Sequence, residues 1–255
     1  MNDLARYFEN NNKNQIHKWS NYFDIYDRHF AKYRHKEIVI VEIGVSQGGS
    51  LQMWQDYFGP QAKIYGIDVD PRCKMFEGGN IKIFIGSQND REFLRSVIKQ
   101  IPPIDILIDD GSHNSSHQIV SFEELFDSVR SDGIYLCEDT HTSYWLKYGG
   151  GHKRRSTFIE YMKNIIDDLH AFHSKQWSLR PNKYTGSIWS VSFYDSIVVV
   201  EKGKQEAPQS LKSGHVVLPE RPARFSPRIK KLRFAVLYAI NYALRAMRLP
   251  AFLWK

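Results

Sequence analysis

Residues 38–50 read IVIVEIGVSQGGS, and their order decides the fold. A short β-branched run, 38–43, stops at Gly44 and gives way to Gly48-Gly49-Ser50. That pattern predicts a fully buried parallel strand, a turn, and a helix from about Ser50 to Tyr57. The unit then recurs. KIYGI at 63–67 ends at Asp68, IKIFI at 81–85 ends at Gly86, IDILI at 104–108 ends at Asp109-Asp110, and 133–137 ends at Glu138-Asp139. Helices are predicted over 90–100, with Asp90 as N-cap, and over about 115–130. Another helix is predicted over 156–172. Segments 187–193 and 196–201 read as a closing hairpin with an antiparallel edge strand. Strands alternating with helices at this spacing predict an α/β fold with a doubly wound, mainly parallel sheet.

The sheet-forming part, 37–202, has a flank on each side. Residues 1–36 read as a polar helical leader with an aromatic stripe, Trp19, Tyr22, Phe23, Tyr26 and Phe30, spaced by three and four. Such a stripe covers an edge of the core or lines a ligand pocket. Residues 203–227 are rich in Lys, Gln, Pro, Ser and Gly and read as a linker, and 228–255 read as a basic amphipathic helix.

With 42% apolar and 14% aromatic residues, a chain of 255 residues buries a sizeable core, and 25% charged residues exclude wholesale disorder. Two distant cysteines, Cys73 and Cys137, exclude a disulfide scaffold and a cysteine-based zinc site. Met1 to Lys18 is polar and Asn-rich and lacks the apolar run of a signal peptide, so the expected location is the cytoplasm. The net charge of +7 is unevenly placed. Residues 1–203 carry 24 Lys and Arg against 26 Asp and Glu, whereas 204–255 carry 11 against 2. The main domain is therefore not a general nucleic-acid-binding surface.

Ligands of open α/β sheets bind beyond the carboxyl ends of the strands, and polar residues gather there. The turn Glu42-Ile-Gly44-Val-Ser-Gln-Gly48-Gly49-Ser50 lets the backbone approach a ligand and ends at a helix N-terminus with free N–H groups. Asp68 closes the next strand, where a carboxylate accepts from both ribose hydroxyls, so the pair points to a nucleoside cofactor. The turn lacks the second glycine of a G-x-G-x-x-G dinucleotide fingerprint, and the chain has no G-x-x-x-x-G-K-[ST] loop.

A second constellation is Asp109-Asp110-Gly111-Ser112-His113 after the fourth strand and Glu138-Asp139 after the fifth. Asp110, Glu138 and Asp139 are expected to converge, and clustered carboxylates repel unless they share a cation or a proton. An oxygen-only set suits Mg²⁺. Acids at these turns also read as ordinary helix caps. His113 can take the proton of a sugar-type hydroxyl that a metal acidifies, or it simply starts a helix. His117 competes for the role, although H-N-S-S-H lacks the Glu of a zinc-protease motif.

The stretches VEIGVSQGGSLQMWQDYFGP, YGIDVDP, GSQND, IDDGSH and LCEDTHTSYW resemble the metal-dependent sugar O-methyltransferases of the mycinamicin 2''-O-methyltransferase type and relatives from bacterial glycan gene clusters. The resemblance covers roughly residues 15–202 and belongs to the class I S-adenosylmethionine (SAM) methyltransferases. It implies Gly44 near the methionine part of SAM, Asp68 on the ribose, and Ser87 and Gln88 beside the adenine. Glu42, Ser50 and Asp109 join the implied cofactor residues. It further implies Mg²⁺ on Asp110, Glu138 and Asp139, with His113 as general base. The macrolide enzyme has a large additional N-terminal domain where this chain has a short leader, and the basic tail departs from the pattern.

Residues 140–156, THTSYWLKYGGGHKRRS, read as a mobile lid in which Tyr144 and Trp145 stack on a sugar ring, or as a surface loop. In the tail RIKKLRFAVLYAINYALRAMRL, the uncharged run Phe234 to Leu244 is too short to span a membrane, which takes about 20 residues. Lys230, Lys231, Arg233, Asn241, Arg245 and Arg248 share one side of the helix. Ile229, Leu232, Val236, Ala239, Ile240, Ala243 and Met247 share the other. The helix suits an anionic membrane surface, packing on the domain or on a second subunit of a homo-oligomer, or an RNA contact.

The combined expectation is a SAM- and Mg²⁺-dependent O-methyltransferase of a sugar hydroxyl. The expected acceptor is a bacterial surface glycan or glycolipid made at the cytoplasmic face of the inner membrane, with peripheral membrane attachment. A small glycosylated natural product is the alternative acceptor. A hydroxylase on the same sheet would need an iron triad with two histidines, which the sequence does not offer. A degenerate SAM-fold interaction subunit is the non-enzymatic alternative, against which the intact site residues argue.

Overall fold

Residues 2–218, 227–247 and 249–252 are described by a computed structural model. The chain parts into two units, Met1–His173 with Arg180–Glu206, and Ser174–Leu179 with Ala207–Lys255. The first runs α1 (Asp3–Glu9), α2 (Tyr22–Phe30), β1 (Val39–Ile43), α3 (Gly49–Phe58), β2 (Lys63–Asp68), β3 (Ile81–Ile85), α4 (Arg91–Ile98), β4 (Ile104–Asp109), α5 (Ser115–Leu125), β5 (Val129–Cys137), α6 (Phe158–Leu169), α7 (Lys183–Ser187), β6 (Ile188–Phe193) and β7 (Val198–Lys202).

These strands form one seven-stranded sheet in the order β3-β2-β1-β4-β5-β7-β6. The first five are parallel, and β7 runs antiparallel to both β5 and β6. This is the doubly wound, mainly parallel sheet the sequence predicts. All five residues of β1 are buried, as a strand covered on both faces requires. Alternate side chains feed two cores. Ile40, Ile64, Ile106 and Ile134 pack under Tyr26, Phe30, Trp54 and Phe58. Val41, Ile67, Leu107 and Tyr135 pack under Phe122, Phe158 and Met162.

The leader differs from the expected continuous helix. Asn10 to Asn12 and Asn14 favour local side-chain bonds over helix, and residues 10–21 carry neither helix nor strand. Tyr22, Phe23, Tyr26 and Phe30 form the predicted stripe on α2 and are buried, while Trp19 precedes the helix and is 54% exposed. The predicted cap holds, since the Asp90 side chain accepts from the Phe93 N–H at 3.0 Å. Two elements escaped prediction. They are the 3₁₀ stretch Pro71–Phe76, started by the Asp70 cap, and α7, started by a capping box at Asn182. Segment 140–156 contains two 3₁₀ turns and is tied to itself, with Gly150 and Gly151 N–H groups donating to the Trp145 and Ser143 carbonyls at 2.9 and 2.8 Å.

The second unit contains α8 (Pro227–Ala246). Leu232, Val236, Ile240 and Met247 of the expected apolar face are exposed. Asn241 pairs with the Phe252 backbone, and the Trp177 and Tyr242 rings lie 4.7 Å apart. Among the described residues no helix is long and apolar enough to cross a membrane. Pro219 and Pro222 of the predicted linker, Arg248 of the predicted polar face, and the side chains of Ile229 and Lys230 lie outside the described residues.

Candidate active site

A cavity of about 610 Å³ opens at the carboxyl ends of β1, β2 and β4, where a doubly wound sheet places its ligands. Gly44 forms its floor in a left-handed conformation, φ 96°, and a Cβ there would lie 2.1 Å from the Asp110 carbonyl oxygen. No side chain fits between the first turn and the fourth. Asp68 lines the cavity and shapes the first turn, accepting from the Val45 and Ser46 N–H groups at 2.8 and 3.0 Å. Ser50, Ser87 and Gln88 also line it. Gln88 accepts from the Ser112 N–H at 2.6 Å and donates to Asp109 at 3.0 Å, so it ties the third turn to the fourth.

Two expected cofactor residues stand elsewhere. Glu42 is fully buried behind the cavity wall, where Ser50 Oγ and Trp54 Nε1 donate to it at 2.9 and 3.1 Å. Burial raises its carboxyl from near 4.5 to about 7. Asp109 is likewise buried, held by Gln88 and Ser121, and burial raises its carboxyl above the usual range. Neither lines the cavity, and both act by fixing neighbours that do.

Donor atoms of Asp110, His113 and Asp139 lie within 4.8 Å of one another. Glu138, expected beside them, is 1% exposed; one carboxylate oxygen accepts from Tyr26 Oη at 2.7 Å and the other from Lys18 Nζ at 2.8 Å, so that Lys18 stands between it and Asp110. The Lys18 ammonium also sits 2.5 Å from Asp110 Oδ2, with its side chain 2% exposed. Burial would lower its pKa, but Asp110 and Glu138 outweigh that, and Lys18 stays charged. Burial and the nearby Asp110 charge push the Glu138 carboxyl up, and Lys18 opposes them.

Asp139 and His113 both adopt left-handed backbone, with φ of 51° and 56°. Such strain persists only where the surroundings enforce it, and it gathers at functional sites. Tyr22 Oη donates to Asp139 Oδ1 at 2.6 Å, and Trp19 Nε1 reaches the same oxygen at 3.2 Å. Asp139 Oδ2 faces His113 Nε2 at 3.5 Å. Thr142 Oγ1 donates to the His113 carbonyl at 2.7 Å, and His113 Nδ1 is buried without a partner among the described residues. His117, the competitor, is bound to Ser112 Oγ at 2.9 Å. Tyr144 and Trp145 are half exposed and do not line the cavity. Trp145 connects to the site through ring contacts with His141 and Tyr148, at 4.7 and 6.0 Å, and Tyr148 lies 6.4 Å from His113.

Sequence reasoning missed Lys18 as a site residue and left open whether Tyr22 and Tyr26 face a ligand pocket or the core. The available signal was tyrosine, rather than phenylalanine, at two stripe positions just after a lysine.

No family model matches the chain. It is 36% identical over 216 residues to an 8-demethyl-8-(2-methoxy-α-L-rhamnosyl)-tetracenomycin-C 3'-O-methyltransferase of Streptomyces olivaceus, covering 79% of this chain and 54% of that protein. It is also 36% identical over 195 residues to the mycinamicin VI 2''-O-methyltransferase of Micromonospora griseorubida, covering 71% and 48%. The chain thus spans about half the length of the curated relatives it matches. The structure of the mycinamycin-pathway methyltransferase MycE with Mg, S-adenosylhomocysteine (SAH) and mycinamycin VI superposes with a TM-score of 0.69 at 32% identity, over 79% of this chain and 53% of that one. The chain has the fold of a SAM-dependent methyltransferase.

Asp110, Glu138 and Asp139 carry oxygen donors of the kind a hard divalent ion takes. The fit has an observation behind it. Two of the three carboxylates already hold a cation, the Lys18 ammonium. The cavity joins the Gly44 turn and Asp68 at one end to Asp110, His113 and Asp139 at the other.

Proposed function

We propose that this chain transfers a methyl group from SAM to a sugar hydroxyl of a glycosylated acceptor, with Mg²⁺ at Asp110, Glu138 and Asp139. The observation that carries the reading is one continuous cavity. It runs from a SAM-type turn to a cluster of carboxylates around a strained histidine. The relatives' names, which specify sugar O-methylation of tetracenomycin and mycinamicin glycosides, support it.

Bound SAM supplies an activated methyl group, and a bound divalent ion makes the acceptor hydroxyl more acidic. The chain's own residues do the rest. The bare Gly44 floor and the Asp68 carboxylate position the nucleoside end. His113 takes the hydroxyl proton on its ring, and Asp139 Oδ2, 3.5 Å from Nε2, stabilises the imidazolium that forms. The buried Glu42 pins α3 through Ser50 and Trp54 and so fixes the turn above the cavity. Asp110→Ala and His113→Ala are expected to abolish transfer while circular dichroism stays native. Full activity of either variant, or of the wild type in EDTA, refutes the mechanism.

Among acceptors, a small glycosylated natural product has the stronger support, because rhamnosylated tetracenomycin and mycinamicin are what the relatives' names specify. The surface-glycan reading rests on a different observation. Exposed Leu232, Val236 and Ile240 share α8 with Lys231 and Arg245, a combination that suits an anionic membrane surface. An acceptor panel of macrolide glycosides and polyprenyl-linked sugars separates the two. Flotation on anionic liposomes with and without residues 226–255 tests the peripheral attachment.

A further inference from the structure

The cation held by the carboxylates belongs to the chain itself. Lys18 Nζ lies 2.5 Å from Asp110 Oδ2 and 2.8 Å from Glu138 Oε2, in a side chain only 2% exposed. Trp19, its neighbour, donates to the remaining carboxylate, Asp139, at 3.2 Å. All three acids assigned to Mg²⁺ are therefore engaged by two consecutive residues of the leader.

The segment that delivers them, residues 10–21, is a strap with no helix or strand of its own. Gln15, Ile16, His17 and Lys18 line the cavity. The strap lies directly on the first turn of α3, where a Cβ on Gly49 would come within 2.3 Å of the Gln15 carbonyl oxygen. A long bond from the Asn14 N–H to Gln52, 3.3 Å, is its polar tie to that helix. Segments with few internal bonds open at the least cost, and here the firmest anchors are the ion pairs of Lys18.

A divalent ion such as Mg²⁺ needs contacts of about 2.0–2.1 Å to its oxygens. An ammonium already in contact with two of those oxygens denies it that space, and two cations in one buried cage repel strongly. We propose that Lys18 is a displaceable internal counter-cation. The strap seats it between Asp110 and Glu138, and entry of the divalent ion expels it and frees the strap from the cavity. The inference rests on the Mg²⁺ reading proposed above and adds to it a coupling between ion entry and access to the site. Each occupant keeps the buried carboxylates compensated in the absence of the other.

Two measurements test the exchange. The first is calorimetric titration of MgCl₂ into the full chain with SAH, for the wild type and Lys18→Met. If the strap is closed in nine molecules of ten, removing Lys18 tightens Mg²⁺ binding about tenfold. The second needs no variant. Trypsin cuts after Lys18 only when that side chain leaves its cage, so the fragment beginning at Trp19, followed by mass spectrometry, is expected to form at least fivefold faster in Mg²⁺ than in EDTA. Cutting after the exposed Lys204 serves as the unchanged control. Equal Mg²⁺ affinity of the two proteins overturns the exchange while leaving the metal reading intact. So does tighter binding by Lys18→Met with Lys18 still protected in Mg²⁺, because the lysine then only repels the ion. Absence of Mg²⁺ binding in both proteins overturns the metal reading and the exchange with it. Should Lys18→Met fail to fold, the trypsin result on the wild type decides alone.

Discussion

Glu42 should make the stability of this domain fall as the pH rises through the weakly acidic range. The side chain is fully buried, with donors from Ser50 and Trp54 and no cation in direct contact. Burial raises its carboxyl to about 7, against an ordinary value near 4.5. Below about pH 4.5 both the folded and the unfolded chain carry the proton. Between 4.5 and 7 the unfolded chain releases it and the folded chain keeps it, so rising pH favours unfolding. Above 7 both are ionised and the loss is complete. The gap from 4.5 to about 7 corresponds to about 3 kcal/mol. Glu42→Gln removes the ionisation, keeps an acceptor for Trp54 Nε1 and keeps the volume. Urea unfolding of both proteins at half-unit intervals from pH 4.5 to 8, in EDTA, measures the difference. The variant should start near the wild type and gain about 3 kcal/mol on it by pH 8. Titrating groups remote from Glu42 contribute equally to both proteins and cancel. A difference that stays constant across this range would refute the assignment of Glu42 as a buried acid that holds its proton.

Trp54→Ala removes a fully buried indole packed against Tyr26, Phe30 and Phe58 and should cost about 3–5 kcal/mol in urea unfolding, with Trp54→Phe recovering most of it. Gly44→Ala forces a side chain into left-handed backbone, at about 1–3 kcal/mol, and into contact with the Asp110 carbonyl. That variant should lose stability and bind SAH at least tenfold more weakly by calorimetry, and wild-type values for both would contradict the close packing of the two turns.

The sheet was legible because each strand announces itself locally. A β-branched run ends in glycine or an acid, and that information lies within a dozen residues. The cavity followed from the same reading, since strand ends in such a sheet face one direction. Which acid faces the cavity did not follow. Asp109 and Asp110 are adjacent, yet one is fixed inward by Gln88 and Ser121 while the other lines the opening. Alternation along a strand end separates them, and the deciding partners lie on other elements. Glu138 shows the same limit. Its place in the acidic motif did not reveal that a tyrosine and a lysine from the leader bind it. The period of the α2 stripe was readable, whereas the destination of its hydroxyls was not, because no local pattern encodes a partner on another strand.

The distance in sequence between the leader and its partners also orders events during synthesis. Tyr26 and Glu138 are 112 residues apart, and Lys18 and Glu138 are 120 apart. At roughly 5–20 residues per second, the ribosome adds Glu138 about 6–24 s after Lys18. The aromatic stripe can meet Trp54 as soon as α3 exists and the ammonium can meet Asp110 after β4, but the second ion pair and the tyrosine hydroxyls wait for β5. The first part of the domain to be made is thus among the last to be fully docked, and a nascent chain stalled before Glu138 holds its leader without the Tyr22 and Tyr26 hydroxyl bonds and with one of the two Lys18 ion pairs.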